Sequence, residues 1–157
     1  MDKILMLLEQ NARMAVEDIA AAAGVTAQEA KKRIAQYEEE GVIKGYKALI
    51  DWDKTDRNLV NARIEVKILL GKNFGFDDVC SQLSQFEEVQ SVYLMSGNYD
   101  VALTVSGKTF QEIAMFVASR LSPLDAVQST ATSFILKKYK ERGAFSKKDT
   151  DEREVRM

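Results

Sequence analysis

The segment 16–46 constrains the fold of this chain more than any other part of the sequence. A helical stretch ends in three alanines at 21–23, whose short side chains let another helix approach closely. Gly24 can end that helix, because glycine adopts the left-handed backbone conformation at little cost. Thr26, with Glu29 three residues later, has the pattern of a capping box that starts the next helix. Two helices joined by a short glycine turn predict a helix-turn-helix, a motif that can place its second helix on DNA.

The second helix of this segment has an inward and an outward side. Ala30, Ile34 and Tyr37 recur at i, i+4 and i+7, which predicts the stripe that packs against the other helices. Glutamine can pair with a base edge, and lysine and arginine can contact phosphates or guanine. Residues of these types lie on the opposite side or its flanks, and with the capping threonine they are the predicted DNA-binding residues: Thr26, Gln28, Lys31, Lys32 and Arg33. The segment by itself leaves open an ordinary solvated amphipathic helix.

The charge of the first domain argues against strong DNA binding by a single copy. Residues 1–50 carry seven lysines and arginines against eight acidic residues, and the whole chain has a net charge of −2. Phosphate contacts supply most of the affinity for nucleic acids. The contiguous basic residues 31–33, with Lys44 and Lys47 after the helix, supply local positive charge. Association of two chains would then multiply a modest affinity.

The second half of the chain alternates strand and helix patterns. Apolar alternation predicts strands, and apolar residues at i, i+3, i+4 and i+7 predict helices. The predicted strands span 64–70, 89–95, 99–106 and 127–136, and the predicted helices span 76–83 and 110–121. Their order, β-α-β-β-α-β, is that of the ferredoxin-like fold, an antiparallel sheet with two helices on one face. The predicted fold class is therefore α+β, an N-terminal winged helix-turn-helix followed by a ferredoxin-like domain.

The predicted boundaries divide the chain into four parts. A helix-turn-helix domain spans 1–45, a strand and linker 46–58, the ferredoxin-like domain 59–140 and a charged tail 141–157. The strand is expected at 46–50, and the polar linker after it contains the only tryptophan, Trp52. The tail is dense in charges of both signs, which favours either mobility or a helical extension.

A four-stranded sheet with helices on one face leaves its other face uncovered. Tyr93 and Met95 fall on one alternating set of side chains and Val92 and Leu94 on the other, so apolar residues are expected on both faces. An uncovered apolar face predicts twofold self-association. The serines and threonines of the last strand predict that such an interface is not wholly dry.

Several short motifs stand in the order found in one known family. They are Asn11-Ala12-Arg13, Gly24-Val25-Thr26, Gly41-Val42-Ile43 with Gly45-Tyr46, then Ser96-Gly97-Asn98-Tyr99-Asp100 and, in the last strand, Thr130-Ala131-Thr132. Through these residues the chain resembles the Lrp/AsnC (feast/famine) transcription regulators. The resemblance implies a sequence-specific regulator that binds double-stranded DNA and responds to a small effector, an amino acid. It also implies homodimers formed through the second domain, which assemble further into tetramers or octamers.

A small-molecule site is expected near the turn at Gly97. Backbone N–H groups at a glycine turn can receive a carboxylate and Asp100 can hold an ammonium group, and a free α-amino acid carries both. Without the resemblance, the residues favour a structural role in which Asp100 caps its own turn and the threonines are ordinary strand residues. The resemblance implies an effector pocket between subunits, lined by Ser96, Gly97, Asn98, Tyr99, Asp100, Thr130 and Thr132.

The sequence contains no pattern typical of a catalytic or metal site. It has no histidine, no metal-ligand spacing, no phosphate-binding glycine loop and no nucleophile motif. We therefore expect no enzymatic activity, no cofactor and no metal. Two alternatives stay open: an effector-binding oligomer with weak or lost DNA binding, and, less favoured, an enzyme built on the same two-domain plan.

Hydropathy and cysteine content indicate a cytoplasmic protein without membrane contact. No apolar run is long enough to cross a membrane, and no signal peptide is visible at the N-terminus. Cys80 is the single cysteine, so no disulfide can form within the chain. Its place on an apolar helical stripe predicts a small buried side chain in a reducing compartment.

Overall fold

The computed structural model describes residues 1–145, which form two compact units. The N-terminal unit comprises residues 1–48 and the C-terminal unit begins at Leu49. Most of the predicted charged tail, residues 146–157, lies outside the described residues. No helix among the described residues is long and apolar enough to cross a membrane.

The N-terminal unit consists of three helices, α1 (Lys3–Gln10), α2 (Val16–Ala23) and α3 (Ala27–Glu39). Gly24 ends α2 with a φ of +73°, as its lack of a side chain allows. Thr26 Oγ1 caps α3 by accepting a hydrogen bond from the backbone N–H of Glu29 at 3.1 Å. The Glu29 side chain hydrogen bonds to Arg33, so the described contacts include only one half of the expected capping box. The predicted helix-turn-helix is confirmed.

The core of the N-terminal unit is small. Its fully buried side chains are Ile4 of α1, Ile19 and Ala20 of α2, and Ala30 of α3. Leucines of α1 and Ile34 of α3 surround them and are partly buried. The alanines let α2 and α3 approach closely, but they contribute little apolar area to the packing.

The strand predicted at 46–50 is wrong for the described chain. Residues 44–50 belong to no helix or strand, and the next element is a short 3-10 turn at Trp52–Lys54. A strand needs a partner for its backbone N–H and C=O groups, and no described segment of this chain pairs with these residues.

The C-terminal unit has the predicted β-α-β-β-α-β order. Its elements are β1 (Val60–Ile68), α4 (Phe76–Leu83), β2 (Val89–Leu94), β3 (Val101–Gly107), α5 (Phe110–Phe116) and β4 (Val127–Phe134). The four strands form an antiparallel sheet in the order β2-β3-β1-β4. This confirms the ferredoxin-like fold class.

Some element boundaries differ from the prediction. The first strand begins at Val60, four residues earlier than predicted. It ends at Ile68, and Leu69 and Leu70 after it are exposed. The predicted helix 110–121 changes from α-helix to a π-helical turn at Val117–Leu121. The start of the tail forms a small hairpin, β5 (Lys140–Glu141) and β6 (Ala144–Phe145), instead of extending a helix.

The core lies between the sheet and the two helices. Alternate residues of β1 from Ala62 to Ile68 are buried and pack with Val79 and Leu83 of α4 and Ile113 and Phe116 of α5. Cys80 packs against this core as its apolar stripe predicts, but it is half-buried and not fully buried, and this burial raises the pKa of its thiol.

The sheet face opposite α4 and α5, here called the open face, is polar along β1, one of the two central strands. Arg63, Glu65 and Lys67 of β1 project from it. The register places Thr104 of β3 beside Arg63, and Tyr93 of β2 on the same face is 54% exposed. This face therefore carries both an exposed aromatic ring on β2 and a row of charges on β1, with β3 between them.

Candidate functional site

The outward side of α3 carries most of the predicted DNA-binding residues. Gln28, Lys31 and Lys32 are exposed, and Thr26 is exposed at the start of the helix, where its hydroxyl serves as the cap. Ala30 on the other side is fully buried. The side chains suited to bases and phosphates therefore lie on the surface of the unit, as the helical spacing predicts.

Arg33, the fifth predicted DNA-binding residue, is held by acidic groups of its own unit. Its Nε donates a hydrogen bond to Glu29 Oε1 at 2.9 Å, and its Nη1 lies 3.9 Å from Asp2 Oδ2. The hydrogen bond to Glu29 raises the pKa of the guanidinium above its ordinary value. Arg33 thus has partners before any DNA is bound.

Asp2 is a functional candidate that the sequence analysis missed. Its Oδ1 accepts a hydrogen bond from the backbone N–H of Ile4 at 2.8 Å, which caps α1. Its Oδ2 accepts a hydrogen bond from the Tyr37 hydroxyl at 2.6 Å. That hydrogen bond lowers the pKa of Asp2 and raises the pKa of Tyr37. An aspartate before a helix predicts a cap, but its partner on α3 is 35 residues away.

The predicted effector residues 96–100 form the loop between β2 and β3. Ser96, Gly97 and Asn98 are exposed, whereas Tyr99 and Asp100 are half-buried. Gly97 has no positive φ, and a Cβ built on it would contact nothing within 4 Å. Glycine is therefore not required here by backbone conformation, although its backbone is accessible.

Asp100 joins this loop to the end of β1. Its Oδ2 accepts a hydrogen bond from the backbone N–H of Ile68 at 2.8 Å, and its own N–H donates to the carbonyl of Val66 at 3.1 Å. The hydrogen bond from Ile68, followed by the nearby ammonium group of Lys67, holds the pKa of Asp100 below its ordinary value. Asp100 therefore has a structural role, but at the end of β1 and not as the expected cap of its own turn.

Lys67 is the second candidate that the sequence analysis missed. Its Nζ lies 3.4 Å from Asp100 Oδ1 and 3.4 Å from the carbonyl oxygen of Asn98. The end of β1 and the loop therefore present an ammonium and a carboxylate side by side, next to the exposed backbone of Gly97. Alternation in β1 predicts that Lys67 lies on the solvent side of the sheet, but it does not predict the contact of this side chain with the β2–β3 loop.

Thr130 and Thr132 lie apart from this loop within one chain. They pair with Val66 and Ile64 of β1, whose side chains are buried on the helix-covered side, so both threonines point to that side. Strands in a sheet are about 4.8 Å apart, which puts β4 roughly 10 Å from β3 across β1. The structure thus divides the predicted effector residues into two groups.

A cavity that the sequence analysis did not predict lies elsewhere in the C-terminal unit. It has a volume of about 760 Å³, and its lining includes Trp52, Phe110, Leu136, Tyr139 and Phe145. None of the predicted effector residues lines it. Trp52 is half-buried beside it, with the Arg57 guanidinium 4.5 Å from its ring centroid.

Comparisons with known proteins cover both units. The AsnC-type helix-turn-helix domain model matches residues 2–38, and the Lrp/AsnC ligand binding domain model matches residues 61–145. The HTH-type transcriptional regulator YugG of Bacillus subtilis is 45% identical over 155 residues, which are 98% of this chain and 93% of that protein. The regulatory protein AsnC of Haemophilus influenzae is 30% identical over 130 residues, 83% of this chain and 85% of that protein.

A solved structure has a similar fold. A transcriptional regulator of Neisseria meningitidis, solved as a complex with L-methionine, is 25% identical, with a TM-score of 0.71 over 88% of this chain and 89% of that chain. The helix-turn-helix, the ferredoxin-like fold and the two family matches agree. The chain belongs to the Lrp/AsnC family of transcription regulators.

Proposed function

We propose that this regulator contacts double-stranded DNA through α3 and that an amino acid bound to its C-terminal unit changes that binding. The DNA contact is supported by the exposure of Gln28, Lys31 and Lys32 on the helix that follows the glycine turn. Thr26 stands at the start of the same helix. In helix-turn-helix proteins the N-terminal residues of this helix meet base edges. Arg33, which is engaged by Glu29, is the least exposed of the predicted contacts.

The observation that carries the effector proposal is the chemistry at the β2–β3 loop. An α-amino acid is a zwitterion, and the packing of the loop against β1 places Asp100 Oδ1 3.4 Å from Lys67 Nζ, beside accessible backbone at Gly97. The effector carboxylate would meet Lys67 and the loop N–H groups, while the ammonium would meet Asp100. The regulator from Neisseria meningitidis, which was solved with L-methionine, supports the same class of ligand.

Self-association belongs to the same proposal. Thr130 and Thr132 lie across β1 from the loop and point to the helix-covered side, so a dimer through the open face does not add them to a pocket at the loop. The proposed effector contacts are therefore those of the loop together with Lys67. We propose a homodimer through the open face, where Tyr93 is exposed, with tetramers or octamers built from it. The row Arg63, Glu65 and Lys67 makes this interface polar as well as aromatic.

The assembly can be tested on the full chain by sedimentation. Thr104→Arg introduces bulk and charge at the centre of the open face and should weaken self-association about tenfold or more, which corresponds to about 1.4 kcal/mol. Gln82→Arg is the matched control, because Gln82 is exposed on α4, away from that face. Equal association constants for the two variants would contradict the proposed interface.

The effector can be tested by calorimetry of the full chain against the twenty amino acids, followed by DNA binding with and without the ligand found. A coupling of about 1–3 kcal/mol would change DNA affinity roughly 5- to 150-fold. If no amino acid binds, a ligand-independent regulator is the better account. If an amino acid binds but the DNA upstream of the chain's own gene is not bound, the effector-binding oligomer is favoured instead.

The proposal includes no catalytic activity. The relatives are named as transcriptional regulators. A regulator acts where the DNA is, so the cytoplasmic location expected from the sequence is part of the same proposal.

A further inference from the structure

Asp2 connects the beginning of α1 to the second half of α3. One carboxylate oxygen caps α1 through Ile4, and the other accepts the Tyr37 hydroxyl hydrogen bond at 2.6 Å. Arg33 Nη1 lies 3.9 Å from that second oxygen, and its Nε is bonded to Glu29. A single carboxylate therefore contacts two side chains that are one helical turn apart on α3.

These polar contacts matter because the apolar packing of the unit is limited. Two of its four fully buried side chains are alanines, which do little to hold a helix at one angle. A tilt of about 5° at Tyr37 would move Gln28, roughly 13 Å away along α3, by about 1 Å. A displacement of that size is enough to break a base contact that depends on hydrogen-bond geometry.

We propose that Asp2, Tyr37 and Arg33 form a positioning cluster that sets the angle of α3 on DNA, and that Arg33 acts through this cluster instead of touching DNA. This inference rests on the proposed contact between α3 and DNA. It assigns a role to Asp2 and Tyr37 and changes the role that the sequence predicts for Arg33.

Salt dependence distinguishes a positioning residue from a phosphate contact. Removal of a lysine or arginine that binds a phosphate flattens the slope of log affinity against log salt by roughly one in each subunit. Removal of a positioning residue lowers affinity without changing the number of phosphates bound. If Asp2 acted only through its charge, its substitution would raise the affinity for DNA, because removing an acidic group near DNA strengthens binding.

The experiment measures affinity of the full chain for a labelled duplex from the region upstream of its own gene, at several salt concentrations. Tyr37→Phe removes only the hydroxyl, and Asp2→Asn keeps an oxygen that can cap α1. Each should weaken binding about three- to tenfold, the range expected when one hydrogen bond is removed, with the salt slope unchanged. Arg33→Ala should likewise leave the slope unchanged.

Tyr46→Phe is the matched control. Its hydroxyl donates a hydrogen bond to Glu38 Oε1 at 2.8 Å. This variant therefore also removes one hydrogen bond between a tyrosine and an acidic residue, but the bond it removes does not connect α3 to the start of α1. It should bind DNA like the wild type. Circular dichroism at the assay temperature checks that every variant is folded.

Three results would overturn the cluster's role: wild-type affinity for a folded Tyr37→Phe, tighter binding by Asp2→Asn, or a flatter slope for Arg33→Ala. Failure of the proposed DNA contact has a different signature. In that case Lys32→Glu would bind with unchanged affinity and slope, and the contact by α3 would fall together with the role of the cluster.

Discussion

The Oδ2 atom of Asp100 lies 2.8 Å from the backbone nitrogen of Ile68, so the carboxylate proposed to hold an effector also closes the end of β1. Its Oδ1 lies 3.4 Å from Lys67 Nζ. One side chain therefore serves the loop structure and the proposed ligand site. An alanine at this position would disturb both and could not separate them.

Asp100→Asn separates the two roles. The amide oxygen of asparagine can still accept the hydrogen bond from Ile68, but the side chain has no charge for an ammonium group. We expect the melting temperature to fall less than in Asp100→Ala, and amino-acid binding, measured by calorimetry, to weaken at least tenfold. Asp100→Ala, the control, should lower the melting temperature because the N–H of Ile68 loses its partner. Unchanged amino-acid binding by Asp100→Asn would contradict the assignment.

The lowered pKa values of Asp2 and Asp100 predict acid sensitivity. A folded pKa below the ordinary value of 3.8 means that the unfolded chain takes up protons first as the pH falls. The stabilisation is therefore complete well above that value and is lost as the pH falls through the lowered folded pKa. Melting temperatures from about pH 7 down to about pH 2.5 test this. The difference in melting temperature between the wild type and Asp100→Asn should become smaller as the pH falls. A difference that becomes larger at acid pH would contradict a lowered pKa for Asp100.

Lys32→Glu tests the DNA-facing side of α3. The variant should bind DNA more weakly, and its salt slope should flatten by roughly one for each phosphate that a subunit no longer binds. Lys72→Glu is the matched control, since it makes the same change of net charge at an exposed position in the C-terminal unit. If the affinity of both variants falls equally, total charge and not the recognition face determines binding.

Gly24→Ala tests the turn of the helix-turn-helix. Gly24 has a φ of +73°, a conformation that costs other residues about 1–2 kcal/mol. The variant should lower the free energy of unfolding by about that amount. Gly97→Ala is the comparison for thermal stability, because Gly97 has an ordinary φ and open space around it. Its stability should change by no more than about 0.5 kcal/mol, so an equal loss in both variants would be evidence against the turn geometry.

Sequence reasoning predicted the elements that depend on residues close together in the chain. The φ of Gly24 and the cap at Thr26 are determined within a few residues, and both are as predicted. The order of strands and helices in the C-terminal unit follows from periodicity, because a helix and a strand expose their apolar faces at different intervals. The exposed side of α3 was predictable for the same reason.

The arrangement of the candidate sites depended on contacts that local patterns do not encode. Asp2 and Tyr37 are 35 residues apart, and Asp100 and Ile68 are 32 apart. The predicted strand at 46–50 is absent in the described chain, because a strand forms only where a second strand satisfies its backbone groups. The sequence by itself determined the folds of the two units and the exposed side of α3, since these follow from local conformational propensity and the periodicity of apolar residues. Only the tertiary structure decided that Arg33 lies near Asp2 and that Lys67 meets Asp100, because those pairs form only when distant segments pack together.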